Sequence, residues 1–291
     1  MNDNQPLATK TILLVLLLCV LWGGLTVSVK IGLEGVPPIL LAALRFATAL
    51  VCIFTWAKLT NISLHLETRD RRIIIVPSAI LAAQIIFLNL GTDYTSASHG
   101  ALFMQSYPFF VATIAHYAIP TDRLTIKKIL GLLLAGGGMV LTIYDDTTRN
   151  SSPFGDILVL CSAIFLAIQI VINKVLVRRI LPVSLIFWQQ VVVLPIFILL
   201  WIWTEWQLPI KINFNILTAI IYQGPIVAGF CFLVFVRLLQ KHSATRISAF
   251  FFTTPLFGVL MSWLILGDQI TSYLSGGLLL LGAGLWVVNQ R

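Results

Sequence analysis

The chain has 291 residues, of which 58% are hydrophobic and only 10% charged, with a mean hydropathy of +0.97. A soluble domain carries about 25% charged residues. This composition therefore excludes both a water-soluble globule and a disordered chain. The net charge of +8 and pI of 9.6 would suggest nucleic acid for a soluble protein. In so apolar a chain, the charge bears instead on which side of a membrane is positive.

A helix that crosses a bilayer takes about 20 apolar residues. Apolar runs bounded by charges or turn residues fall at 12–32, 38–57, 73–90, 98–118, 126–144, 156–176, 183–203, 214–236, 245–266 and 271–289. The remaining residues suffice only for tails and short loops. The expected fold is an all-α integral membrane protein with ten transmembrane helices. Lys10 followed by Thr11–Leu21 has the outline of a signal peptide. The apolar run continues past Trp22 without a small-x-small cleavage site, so it is read as an uncleaved first helix. Cys19, Cys52, Cys161 and Cys231 each sit in an apolar run without a CxxC neighbour. Neither a disulfide framework nor a metal site is expected.

Lys and Arg residues fix the orientation. Fifteen lie in the two tails and the loops after the second, fourth, sixth and eighth runs; only Arg149 and Lys211 lie in the other loops. Lys30 and Arg45 fall within or at the edge of runs. The positive-inside rule then puts both termini in the cytoplasm. It also accounts for the basic pI without nucleic acid, which is not an expected partner. The sequons at Asn61 and Asn150 are too short to weigh, and the first falls on the cytoplasmic side.

The chain repeats itself. Ser98–Pro108 resembles Thr245–Pro255 at an offset of 147, and Asp122-Arg-Leu-Thr125 matches Asp268-Gln-Ile-Thr271 at 146. Gly131 and Gly136–Gly138 match Gly277 and Gly282–Gly284, also at 146. Lys30 pairs with Lys174 and Pro38 with Pro182 at 144, and Pro77 with Pro225 at 148. The expected organisation is a cytoplasmic tail (1–11), a first five-helix repeat (12–144), a linker (145–155) and a second five-helix repeat (156–289). Five is odd, so the second copy enters the membrane from the opposite side. These are inverted-topology repeats, the architecture that alternating access around a midplane site requires.

Further residues carry a family resemblance: Leu21-Trp-Gly-Gly24, Pro37-Pro38 with Ala43-Leu-Arg45-Phe46, Ser106-Tyr-Pro108 with Thr121-Asp-Arg-Leu-Thr125, and Pro255–Thr271 running into a Gly-rich last helix. Over nearly its whole length the sequence resembles the drug/metabolite transporter superfamily, and within it the ten-helix EamA family. The resemblance implies export or exchange of amino acids, metabolites or drugs across a bacterial cytoplasmic (inner) membrane. The chain has Asp122 and Asp268 where the family usually has Glu, and Ile119-Pro-Thr where it has Leu-Gly.

Arg45 lies about eight residues into the second run, roughly 12 Å deep at 1.5 Å per residue and close to the midplane. A cation there costs about 2.5–3.5 kcal/mol and should face the bundle interior or a watered cavity. All acids lie in loops, tails or run ends. The partners open to Arg45 are therefore helix-end carbonyls, a substrate anion, or a loop acid such as Asp93 or Asp268. Gln189 occupies its position in the second copy. Trp22, Gln84, Gln105, Gln169, Gln189, Tyr222 and Gln223 join Arg45 as candidate substrate-binding residues, and each polar one is equally able to bond a neighbouring helix. Asn173 and Gln190 are further mid-run polar groups. Pro108 and Pro255, at paired positions inside helices, are candidate hinges or kinks that free the carbonyls of Met104 and Phe251. The Gly-rich runs read as close helix contacts. His65, His99, His116 and His242 lie in loops or near helix ends without a metal or catalytic motif.

No cofactor is expected, and no constellation of catalytic side chains supports an enzyme. The favoured reading is a secondary transporter exporting or exchanging small polar metabolites such as amino acids. A multidrug or lipophilic-compound exporter and a channel-like facilitator are the alternatives. The first is weakened, for lipophilic cations, by the lack of an intramembrane Glu in the first helix. Expected partners are a small-molecule substrate and the lipid bilayer, with neither monomer nor homodimer favoured.

Overall fold

The computed structural model describes residues 8–95, 100, 103–119, 124–143, 152–267 and 272–289. Within them the regular structure is entirely helical. The first segment comprises α1 (Thr9–Gly23) and α2 (Leu25–Leu33), separated at Gly24. Then come α3 (Pro38–Leu59), α4 (Thr68–Tyr94), α5 (Tyr107–Ala118) and α6 (Ile126–Ile143). After these follow α7 (Pro153–Leu176), α8 (Pro182–Thr204) and α9 (Phe214–Ile221). A π-helical stretch, Tyr222–Cys231, joins α9 to α10 (Phe232–Lys241). α11 (Ala244–Phe250), a 3-10 turn (Phe251–Thr253), α12 (Thr254–Leu266) and α13 (Ser272–Asn289) complete the chain.

Local chemistry sets the helix ends. Pro38, Pro153 and Pro182 open α3, α7 and α8, where a missing N–H costs nothing and φ is already helical. Ser152 and Asn213 side chains accept from the Phe154 and Ile216 amides at 3.2 and 2.8 Å, capping α7 and α9. Asn61, with φ of +52°, ends α3. The Ile62 amide reaches back to Ala57 O at 2.9 Å and the Asn61 amide to Lys58 O at 3.3 Å, the paired bonds of a Schellman turn. The sequon residue Asn61 is thus a helix stop.

Six segments are long and apolar enough to cross a bilayer, with mean hydropathies of 2.0 to 2.6: Thr9–Leu33, Pro38–Leu59, Thr68–Tyr94, Pro153–Leu176, Pro182–Thr204 and Phe214–Lys241. α12 and α13 contain shorter apolar stretches. Large apolar side chains face outward, among them Leu59, Leu133, Leu199, Leu264 and Leu279. In water such a surface would aggregate; in lipid it is the expected exterior. Trp203, Trp206 and Phe214 stand exposed around the loop after α8, where an interfacial aromatic belt belongs.

The helices pack in pairs between the two parts of the chain. α4 lies on α7 and α9 on α2; α3 packs against the π-helical stretch and α8 against α4; α5 meets α7 and α12 meets α1. α6 pairs with α13, α5 with α11 and α3 with α8. Exchanging residues 8–143 with 152–289 turns each of the first six pairings into another of them and each of the last three into itself.

The closest crossings are at glycines. A Cβ on Gly91 or Gly155 would fall 3.0 Å from the other's carbonyl oxygen, and one on Gly23 would fall 2.7 Å from Phe257 Cβ. The Gly-rich runs lie on helices that meet, but not every glycine stands at the contact. α6 and α13 do pack together, and a Cβ on Gly276 would meet Leu141 at 3.0 Å, yet Gly137 and Gly282 face open space.

Loops gather at two ends. At one, the Lys211 amide donates to Gly35 O at 2.8 Å, the Ser152 amide donates to Tyr94 O at 3.1 Å, and Thr95 donates to Asp156 at 2.6 Å. At the other, Arg179 pairs with buried Asp70 at 3.1 Å, and Trp188 Nε1 donates to Leu64 O at 2.8 Å. Exposed Lys58, Arg69, Arg71, Arg72, Arg178 and Lys241 belong to this second end.

Candidate functional site

The structure holds a chamber between the helices, with a cavity volume of about 70 Å³ and part of it open to the outside. That is room for more than one water-sized group, since a single water needs only about 10–15 Å³ by this measure. Trp22, Thr26, Arg45, Gln84, Gln105 and Thr254 line it, together with Met104, Tyr107, Phe232, Phe235 and Phe251. Half of the eight candidate substrate-binding residues, Trp22, Arg45, Gln84 and Gln105, therefore line one chamber.

Arg45 is 1% exposed, and its Nε and Nη1 have no hydrogen-bond partner. Its guanidinium carbon lies 5.5 Å from the Phe46 ring centroid. Asp93 is exposed and does not reach it; Asp268 lies outside the described residues, as do Asp122 and His99. Three oxygens of other lining residues are also unpartnered: Gln84 Oε1, Gln105 Oε1 and Thr254 Oγ1. Gln84 Nε2 is committed to Ser162 Oγ at 2.9 Å, and Ser162 Oγ donates in turn to Gln84 O at 2.8 Å. Buried polar groups without partners are rare in native proteins and need a reason. Arg45, Gln84, Gln105 and Thr254 bring such atoms to the chamber lining, while others, such as those of Gln169 and Asn89, lie elsewhere.

The rest of the wall is aromatic. The Trp22 ring meets Phe232, Phe235 and Phe251 edge-on, with centroids 5.6, 5.5 and 5.0 Å away. The helix breaks at Gly24 and at 251–253 bring these rings together. Tyr222 Oη donates to Leu21 O, just before the first break. That bond ties the π-helical stretch to the end of α1.

The other four candidates are absent from the residues lining this chamber. Gln189, at the Arg45 position of the second part, donates to Asn173 Oδ1 at 2.7 Å. Gln223 donates to Ser28 O at 2.9 Å, and Tyr222 holds Leu21. Gln169 is 1% exposed with neither amide atom partnered. Gln190 donates to Ala228 O at 2.7 Å. Apart from Gln169, these groups bond between segments, the use that an amide finds most readily at membrane depth.

Pro108 and Pro255 each stand second in an α-helix that follows a departure from α geometry, a turn at Gln105–Ser106 and a 3-10 turn at Phe251–Thr253. At that position the missing N–H is no loss. The chamber-lining residues Met104, Gln105, Tyr107, Phe251 and Thr254 sit at these two breaks. Pro77 lies within α4, whereas Pro225 lies in the π-helical stretch, a form that recurs at functional sites.

Two lysines close helix ends in the same manner. Lys30 Nζ donates to Asp93 O at 3.4 Å, next to the end of α4. Lys174 Nζ donates to Leu239 O at 2.7 Å and to His242 O, at the end of α10. His116 Nδ1 accepts from the Leu124 amide at 3.1 Å. Glu205, a loop acid in the sequence, accepts from the Ile39 and Leu40 amides. A Pro-Pro pair before a helix and a lone acid in a distant loop do not reveal that contact in sequence.

Membrane-length apolar helices around an internal chamber define a multi-pass membrane protein. The chain belongs to the EamA-like transporter family, which matches residues 9–144 and again 153–290. It is 22% identical over 282 residues to the uncharacterized transporter YoaV of Bacillus subtilis, covering 96% of both chains. It is 25% identical over 292 residues to a protein of Escherichia coli named a probable amino-acid metabolite efflux pump, covering 97% of this chain and 95% of that one. A crystal structure with 15% identity superposes with a TM-score of 0.79 over 96% of this chain and 98% of the other, a likeness of fold.

Proposed function

We propose that this transporter exports or exchanges small polar metabolites, amino acids among them, across the bacterial cytoplasmic membrane with both termini in the cytoplasm. Its two halves are inverted five-helix repeats, and their rocking exposes the chamber to either side in turn. Three observations support the halves: the family matches each separately, the helix pairings survive their exchange, and Lys30 and Lys174 play equivalent roles. The basic residues at one loop end support the orientation. The relatives of Escherichia coli and Salmonella typhimurium named as probable amino-acid metabolite efflux pumps support the substrate class.

The observation that carries the reading is the unpartnered Arg45 guanidinium on a chamber wall. A buried donor without a partner is a standing cost that a bound solute relieves. Metabolite release from cells overexpressing the protein, compared with the Arg45→Ala variant at equal membrane levels, is the test. Solutes released by the native protein and not by the variant are expected; identical release profiles would sink the reading. The aromatic wall favours a lipophilic-compound exporter as a second reading. Arg45 disfavours cations in that role, since like charges in a low-dielectric site repel.

A further inference from the structure

The chamber lining is of two chemical kinds. One is polar: the Arg45 guanidinium, with unpartnered Nε and Nη1, and the unpartnered oxygens Gln84 Oε1, Gln105 Oε1 and Thr254 Oγ1. The other is aromatic: the rings of Trp22, Phe232, Phe235 and Phe251. No acid lines the chamber among the described residues. The described acids are engaged elsewhere or exposed: Glu67 pairs with Arg69, Asp70 with Arg179, Asp156 with Thr95 and Glu205 with the start of α3. Glu34 and Asp93 are exposed.

Charge and shape together narrow the occupant. A zwitterion brings no net charge, so it leaves the chamber at +1. A monoanion brings it to zero and supplies the guanidinium with a planar, two-oxygen partner. The amide and hydroxyl oxygens then ask for a donor on the same solute, such as a hydroxyl next to the carboxylate. The rings ask for an aromatic or branched apolar body.

The geometry points to an aromatic or branched-chain organic monocarboxylate, with a hydroxyl or similar donor beside the carboxylate, as the solute carried. This rests on the transporter reading of the same chamber and narrows it. Export of such a solute moves one negative charge outward in each cycle. The inside-negative membrane potential therefore drives it, with no proton-carrying acid required. One charge across the membrane corresponds to an equilibrium ratio of about tenfold for every 60 mV.

The test uses purified protein in liposomes, with potassium and valinomycin gradients setting the potential. The probes share one ring and differ in charge: 3-phenyllactate, a monoanion at pH 7, and phenylalanine, a zwitterion. Saturable phenyllactate flux at least tenfold above that of phenylalanine is expected. At 60 mV, negative on the loaded side, its steady-state ratio should approach about tenfold. Arg45→Lys should keep part of the flux, and Arg45→Gln should lose it. Both variants must match the native protein in size-exclusion profile, and Arg45→Lys carries the result if Arg45→Gln aggregates.

Phenylalanine carried as well as phenyllactate, or a phenyllactate ratio indifferent to the potential, would overturn the inference while the transporter reading stands. Flux of neither probe overturns the inference as well. The transporter reading falls with it only if the release profiles of native and Arg45→Ala cells are also identical.

Discussion

Glu205, one residue past the end of α8, accepts a hydrogen bond from the Ile39 amide in the first turn of α3. The distances are 3.1 Å to one carboxylate oxygen and 3.0 Å to the other, and the second oxygen also takes the Leu40 amide at 3.1 Å. A carboxylate at a helix N-terminus satisfies donors that the helix cannot and meets the positive end of its dipole. The contact spans 166 residues of sequence and fixes the start of the helix that carries Arg45.

Glu205 gives a pH dependence whose sign follows from its surroundings. Burial raises its carboxyl above the usual value of 4.5; the Ile39 and Leu40 amides pull it down less strongly, and Asp93 adds to the rise. A carboxyl raised in the folded state binds more protons there than in the unfolded chain. Its contribution is complete below 4.5 and is lost as pH climbs through the raised value. The melting temperature of native protein minus that of Glu205→Gln should therefore fall as pH rises from about 4.5 upward. A difference that grows with pH would refute the burial argument. Glu205→Ala removes the cap and should destabilise by about 0.5–2 kcal/mol.

Gly224 sits against the backbone of the helix bearing Arg45. A Cβ there would lie 1.9 Å from Thr48 Oγ1 and 2.7 Å from Arg45 O. The threonine can rotate away; the carbonyl cannot. Gly224→Ala should cost about 1–3 kcal/mol through overpacking, read as a lower unfolding temperature in detergent. Adding Thr48→Ala should recover only part of it. Full recovery would place the whole conflict on the side chain.

Pro108 and Pro255 stop helices from running through the breaks that shape the chamber. Alanine at either position restores an amide and lets the preceding helix continue. Flux at matched protein levels should drop in both single variants, while stability changes by less than about 1 kcal/mol. Unchanged flux in both would make the breaks incidental.

Orientation is checked by single cysteines in a background lacking Cys19, Cys52, Cys161 and Cys231. A cysteine at Lys211 should react with an impermeant thiol reagent in intact cells, and one at Arg71 should not. The reverse pattern would invert the molecule in the membrane.

The sequence by itself determined the helical membrane class, because a low charge content and apolar runs of membrane length leave no other fold for most of the chain. It also showed the duplication and singled out Arg45, since a cation among apolar residues stands out in any linear reading. It found Trp22, Gln84 and Gln105 as polar or aromatic groups at depth, but it could not separate them from Gln169, Gln189, Tyr222 and Gln223. At the level of sequence all are the same kind of residue in the same kind of run. Only the tertiary structure decided which face a chamber and which do not: Gln189 meets Asn173 and Gln223 meets Ser28 O away from it, while Gln84 and Gln105 line it. The same holds for Glu205 and Gly224. Their roles lie in contacts with α3, more than 150 residues earlier in the chain, and packing between distant segments sets such contacts, which no local pattern encodes.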